Sequence, residues 1–139
     1  MKYYINIGSN LGNRLINLSK AVSAIEKEFG WFELSHHIES EPWGFESKNK
    51  FLNIGMLFLS DREPLDVLHA LQRIEKSISP EPHRTKKGGY ADRVIDIDIM
   101  AVDDLHLASP ELTLPHPHLE DRPFFLDTYR ELLSVNVPE

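Results

Sequence analysis

Cysteine is absent from all 139 residues. No disulfide framework and no thiolate metal site can therefore form, which suits a reducing compartment. Positive charge is scarce: 15 Lys and Arg stand against 22 Asp and Glu, a formal net charge of −7. An acidic chain of this kind does not offer the basic surface that non-specific nucleic-acid binding requires. An anionic small substrate stays open, because a few local cations or a metal can reverse the field inside a cleft. Long apolar runs are missing too. The stretch Tyr3-Tyr4-Ile5-Asn6-Ile7 after Met1-Lys2 is too short for a signal peptide, and nothing later is long enough to span a membrane. The expected location is the cytoplasm. Neither GxxxxGK[ST] nor GxGxxG occurs, so a bound nucleotide would have to be held by side chains and metal rather than by a glycine cradle.

What is present is a globular composition, 41% hydrophobic and 27% charged, of a length that fits one domain over residues 1–139. Period-two alternation of Tyr3, Ile5 and Ile7 predicts a strand over Lys2–Ile7, followed by a tight loop at Gly8-Ser9-Asn10-Leu11-Gly12-Asn13. Leu15, Leu18, Ala21, Val22 and Ile25 recur at helical spacing, which predicts a helix from Arg14 to about Phe29, stopped by Gly30. Trp31–Ile38 reads as a strand, Glu39–Lys50 as a long loop, and Phe51–Leu59 as an apolar strand. Pro64 opens a second helix with Leu65, Leu68, Leu71 and Ile74 as its stripe. Ser77–Arg93 is a polar loop, Val94–Val102 a strand, Pro110–Pro117 an extended segment and Phe124–Leu133 a last helix. Strand, helix, strand, strand, helix, strand is the ferredoxin-like α+β pattern: a mainly antiparallel sheet covered on one face by two helices, with long loops for an active site.

Ile95-Asp96-Ile97-Asp98-Ile99 carries the most chemical information. Side chains alternate along a strand, so both aspartates share one face and the isoleucines pack on the other. Two adjacent carboxylates repel, and a divalent cation between them removes that cost. Hard oxygen donors select Mg²⁺, which takes one or two carboxylates plus substrate phosphates. A plain amphipathic strand with a solvated acidic face fits the same pattern. Arg84, Lys86, Lys87 and Arg93 precede this strand and Arg122 follows it, which is equipment for phosphoryl transfer or simply a solvated charged loop. His116-Pro117-His118 could contribute two imidazoles to a zinc site, though further ligands would be needed.

In chain order, Gly8-Ser9-Asn10-Leu11-Gly12, Glu41-Pro42-Trp43-Gly44, Phe51-Leu52-Asn53, Arg73-Ile74-Glu75, Asp92-Arg93-Val94-Ile95-Asp96-Ile97-Asp98-Ile99, Leu112-Thr113-Leu114-Pro115-His116 and Arg122-Pro123-Phe124 resemble the 6-hydroxymethyl-7,8-dihydropterin pyrophosphokinase family. The likeness runs from the first strand to about Leu126, and it implies the ferredoxin-like fold. It also implies a reaction in which the pterin hydroxymethyl oxygen attacks the β-phosphorus of ATP and AMP leaves. Under that resemblance Asp96 and Asp98 hold two Mg²⁺ ions on the triphosphate, and Arg84 and Arg93 join them in catalysis. Phe51 and Phe124 sandwich the pterin, Asn53 hydrogen-bonds its edge, and Ser40, Glu41 and Trp43 contact it from a loop. Gln72, Glu75, Arg93, Ile99, Thr113, His116 and Arg122 lie near ATP. The family's arginine-rich loop with a tryptophan is represented here by His83-Arg84-Thr85-Lys86-Lys87-Gly88-Gly89-Tyr90, with Arg84 for one arginine and Tyr90 in place of the tryptophan. The resemblance implies small-molecule substrates and a monomer. A metal-dependent phosphohydrolase using Asp96, Asp98 and His116, and a non-catalytic nucleotide-binding module, are the competing readings of the same residues.

Overall fold

Residues 1–42, 47–79 and 92–138 are described by a computed structural model. The elements are β1 (Lys2–Ser9), α1 (Arg14–Phe29), β2 (Phe32–Ser40), β3 (Phe51–Leu59), α2 (Pro64–Ile78), β4 (Asp96–Val102), β5 (Leu107–Ala108), β6 (Thr113–Leu114) and α3 (Pro123–Leu133). The side chain of Asn13 accepts a hydrogen bond from the Ile16 N–H at 3.1 Å, which satisfies one of the unpaired donors at the start of α1. Gly30, at φ +89°, ends that helix in a conformation that side-chain-bearing residues avoid. Pro64 begins α2 where a backbone N–H would have no partner in any case.

β2, β3, β1 and β4 form one sheet in that order, and every neighbouring pair is antiparallel. Alternation gives the central strand β1 two distinct faces. Tyr3, Ile5 and Ile7 pack with Leu18, Ala21 and Ile25 of α1 and with Val67 and Leu71 of α2 in the larger buried cluster. On the opposite face Tyr4, Leu57 and Met100 pack against Phe125 and Leu132 of α3. The expected α+β architecture is therefore present, but helices cover both faces of the sheet rather than one. Gly55 makes the close approach of α3 possible: a Cβ there would lie 2.7 Å from Thr128 Cβ.

Several boundaries move for reasons visible in the ladder. β1 continues through Gly8 and Ser9, read from sequence as loop, because Gly8 pairs with both Asn53 and Asp96 and Ser9 with Leu52. β2 likewise keeps Glu39 and Ser40, which pair with Leu52 and Phe51. β4 starts at Asp96 rather than Val94, since the backbone of Arg93 is bonded to Asn10 instead. Leu15 is 55% exposed and off the buried stripe of α1, where Asn17 is buried with its amide on Ser9 Oγ and Leu11 O. In α2 the buried line is Pro64, Val67, Ala70 and Leu71, with Leu68 and Ile74 on its flanks. Ser77 and Ile78 extend that helix, and within Pro110–Pro117 only Thr113–Leu114 is strand.

Candidate active site

α3 covers only one end of its face of the sheet. Beyond Tyr4, the residues of β1 on this face are Asn6 and Gly8, and the ladder sets Asp98 and Asp96 beside them on β4. On the other side β3 contributes Asn53, paired with Gly8. Period two thus places an acid pair and an amide along one uncovered strip. Gly8 is its floor, and a Cβ at that position would stand 3.0 Å from Asn53 Oδ1 and 3.3 Å from Phe51 Cδ1.

Two cavities open on this strip. The first is lined by Phe51, Asn53, Phe124 and Glu41 around the Asn6 and Gly8 floor. The second, larger one is lined by Ile97, Ile99, Thr113 and His116 among others. Arg93, Asp96, Asp98 and Arg122 line both. The acid pair and two guanidinium-bearing residues therefore stand at the junction of an aromatic slot and a larger polar cleft.

The electrostatics of the junction are strongly perturbed. Burial raises the Asp98 carboxyl well above the ordinary carboxylate range, Asp96 and Glu75 push it further, and Arg122 and Arg93 oppose them. Arg93 Nη1 lies 2.7 Å from Asp96 Oδ1 and is mostly enclosed. Its backbone is clamped by Asn10: the Asn10 N–H donates to Arg93 O at 2.9 Å, and the Arg93 N–H donates to Asn10 Oδ1 at 2.6 Å. The Asn10 amide also donates to Asp92 Oδ1 and to Asn49 O, and the Asn49 amide donates to Asp92 Oδ2. This knot ties the loop after β1 to the segments that lead into β3 and β4. Glu75 of α2 accepts from the Ile97 N–H at 2.8 Å, and burial raises its carboxyl to about 7 despite that bond.

The imidazole of His116 meets the Phe125 ring edge-on at 4.9 Å, and the Arg122 guanidinium lies 4.9 Å from the centroid of the same ring. Phe124 also packs edge-on against Phe125, at 5.0 Å. One fully buried phenylalanine thus anchors three residues of the site. His116 Nδ1 accepts the His118 N–H at 3.0 Å, so the neutral ring carries its proton on Nε2. Burial, with Arg122 and His118 nearby, lowers its pKa to about 4.

Asn53 is fixed on three sides. Its amide donates to Ser40 Oγ at 2.8 Å and to Ile38 O at 3.1 Å, and its Oδ1 accepts from Asn6 Nδ2 at 3.2 Å. Gly8, Asn10 and Asp92 stand in motifs that carry the family resemblance but have no site role assigned from sequence, and Asn6 has no place in either reading. For Asn6 a lone Asn in an otherwise apolar strand is the available signal, since Asn is depleted in strands. Of the residues that were anticipated, Asp96, Asp98, Arg93, Arg122, Phe51, Asn53, Phe124 and Glu41 come together at the first cavity, with Ser40 against Asn53. Ile99, Thr113 and His116 line the second, although the Ile99 side chain belongs to the core. Gln72 lies exposed on α2, one helical turn beyond Leu68 of the second cavity, and does not itself line either cavity. Trp43 and Arg84, with His83 and Tyr90, lie outside the described residues. Among the described residues no cluster of three or more His, Asp or Glu side chains could hold a metal, so His116 and His118 do not form a zinc site there.

A family model for 7,8-dihydro-6-hydroxymethylpterin-pyrophosphokinase matches residues 4–134. The chain is similar to the 2-amino-4-hydroxy-6-hydroxymethyldihydropteridine pyrophosphokinase of Porphyromonas gingivalis, at 42% identity over 127 residues, covering 87% of this chain and 83% of the relative. It is 32% identical over 123 residues to the enzyme of the same name from Aquifex aeolicus, covering 88% of this chain and 74% of that one. With the Bacillus subtilis enzyme of that name it shares 28% identity over 131 residues, 93% of this chain and 76% of the relative. The site geometry and these matches agree: the chain belongs to the 7,8-dihydro-6-hydroxymethylpterin-pyrophosphokinase family.

Proposed function

We propose that this protein transfers the terminal diphosphate of ATP to the hydroxymethyl oxygen of 6-hydroxymethyl-7,8-dihydropterin, a step of folate synthesis. The supporting observation is the shared acid pair: Asp96 and Asp98 line both the aromatic slot and the larger cleft. Such a junction is where an acceptor hydroxyl and a triphosphate have to meet. In the step, the hydroxymethyl oxygen bonds to the β-phosphorus, the bridging bond to the α-phosphate breaks, and AMP carries away the electron pair. The hydroxyl proton leaves to solvent. Phosphoryl transfer depends on in-line positioning and charge neutralisation more than on a strong base, and no base is assigned.

Among the described residues, those that line the two cavities have surroundings that suit the following roles. Phe51 and Phe124 offer faces to a planar heterocycle, while Asn53 gives its edge a directional partner. Glu41, with Ser40 behind Asn53, completes that wall, and Trp43 is assigned to it from the resemblance. Arg93 and Arg122 stand where negative charge accumulates on the transferred group, and Arg84 is assigned beside them from the resemblance. His116, neutral with Nε2–H as donor, can hold a phosphate oxygen without a charge of its own. Thr113, Ile99, Gln72 and Glu75 are assigned to the nucleotide side.

The donor set fits magnesium. Two hard carboxylates face a cleft with no third protein ligand among the described residues, and Mg²⁺ completes its shell with phosphate oxygens and water. Asp96 and Asp98 would hold it, and it would supply neutralisation of the triphosphate charge. The element order and the strand order β2-β3-β1-β4 support a ferredoxin-like reading of the fold. We also read residues 1–139 as a single catalytic domain acting as a monomer in the cytoplasm. No helix among the described residues is long and apolar enough to cross a membrane.

The test is AMP release from Mg-ATP with and without the reduced hydroxymethylpterin. AMP that appears only with both substrates is the expected result. AMP or ADP without pterin would turn the reading to a hydrolase, and nucleotide binding without any product would turn it to a binding module.

A further inference from the structure

We propose that Asn6 is a positioning residue for heterocycle recognition, acting through Asn53 and holding in place the carbonyl oxygen that Asn53 offers the substrate. The inference rests on the pyrophosphokinase reading of the site. Asn6 sits on the central strand at the floor of the aromatic slot, level with Asp98 on β4, and it is buried. Its Nδ2 donates to Asn53 Oδ1 at 3.2 Å. The Asn53 Nδ2 donates to both Ser40 Oγ and Ile38 O. An amide nitrogen has two hydrogens, so both donors of Asn53 are engaged within the protein. What remains for a ligand is the second lone pair of Asn53 Oδ1. Asn53 therefore presents an acceptor, which suits the amino- and imino-bearing edge of a pterin.

Ile38 O can only accept, so it fixes the Asn53 amide with its nitrogen toward β2 and its oxygen toward Asn6. The bond from Asn6 Nδ2 occupies one lone pair of that oxygen and holds it in place for the other to meet a ligand. The other end of the Asn6 amide is unusual. Among the described residues its own Oδ1 is buried with no hydrogen-bond partner. A buried acceptor left without a protein partner is costly. The strand face it occupies is otherwise compatible with an apolar residue, since Tyr4 two positions earlier packs in the apolar cluster. A polar side chain with an unpaired oxygen in a cavity floor points to function.

The experiment compares Asn6→Ala and Asn6→Val with wild type in steady-state assays that vary each substrate, and places Asn6→Ala in an Asn53→Ala background. Both variants should fold. The KM for the pterin should rise about tenfold, the loss of one oriented hydrogen bond, while the KM for ATP stays within about twofold. In the Asn53→Ala background Asn6→Ala should add less than about a twofold change, as two residues acting as one unit require. Unchanged pterin KM, parallel change in both KM values, or fully multiplicative effects with Asn53→Ala would each overturn the proposal. Should wild type release no pterin-dependent AMP, the reaction assignment fails separately. Equilibrium binding of the reduced pterin then decides for Asn6: weaker binding by Asn6→Ala upholds its role, and equal or absent binding by both proteins removes it.

Discussion

Glu75 is a carboxylate in the wrong place for its charge, and replacing it with Gln should stabilise the protein only at high pH. Its Oε2 accepts the Ile97 N–H on the outer edge of β4, so the group is needed as an acceptor. Burial nevertheless raises its pKa from 4.5 to about 7, and Asp96 adds to the effect. At 1.36 kcal/mol per pKa unit, that displacement is worth about 3 kcal/mol against the ionised form. The folded protein holds the proton over a range where the unfolded chain has lost it, so stability falls as pH rises from 4.5 to about 7 and stays low above. Gln keeps an acceptor oxygen for Ile97 and cannot ionise. The two proteins should therefore be equally stable near pH 4, and Glu75→Gln should lead by about 3 kcal/mol near pH 8.5.

His116 runs the opposite way in part of this range. Its pKa is lowered from 6.5 to about 4, so its contribution is complete above 6.5 and is lost as pH falls through 4. Wild type should show partial cancellation between these two groups below pH 6.5, and Glu75→Gln should expose the rise due to His116. Urea denaturation of both proteins at several pH values between about 4 and about 8.5 measures the difference, in which the groups common to both cancel. A lead that is constant with pH would refute the reasoning, because an uncharged packing effect has no titration. A lead that grows toward low pH would show that the sign of the Glu75 effect is wrong.

Asp96→Asn and Asp98→Asn should each lower kcat by about 10²-fold or more in Mg-ATP assays, with the fold intact by circular dichroism. Asp98→Asn should also equal or exceed wild type in urea midpoint near neutral pH, since burial disfavours the native carboxylate. Phe124→Ala should raise the KM for the pterin up to about tenfold and leave the KM for ATP nearly unchanged, which steady-state titration of each substrate would reveal. Gly55→Ala should cost about 1–3 kcal/mol in urea denaturation, because its Cβ would press on Thr128 at 2.7 Å and push α3 off the sheet.

The fold was legible where one periodicity ruled a segment. Tyr3, Ile5 and Ile7 announced β1, and Ala21 and Ile25 announced α1, because burial against a single partner layer imposes a regular spacing. The second layer was harder to see. α3 was anticipated as a helix, yet nothing in its spacing says which face it covers. That depends on a missing side chain at Gly55 and on Thr128 opposite it, 73 positions apart in the chain (128 − 55). Strand ends were misplaced for a related reason. Gly8, Ser9 and Ser40 have turn-like chemistry, and only their ladder partners on other strands hold them extended.

The site divides along the same line. Asp96 and Asp98 could be paired from sequence because they sit two apart on one strand, where geometry is local. Asn53, Phe51 and Phe124 entered through family resemblance, since no local pattern relates β3 to the start of α3. Asn6 escaped both routes, and Asn10 stands in a family motif with no role assigned to it. Each acts on a residue from another part of the chain, Asn6 on Asn53 and Asn10 on Arg93, and neither carries a charge or a ring to draw attention. A polar residue inside an apolar strand, or one buried at the mouth of a loop, is costly unless it has a partner. Asn10 has three partners, through Arg93, Asp92 and Asn49, and is accounted for structurally. Asn6 has one, with its oxygen left over among the described residues. That difference is why the two asparagines, alike in sequence, belong to different arguments: one builds the frame of the site, and the other holds the group that the site offers its ligand.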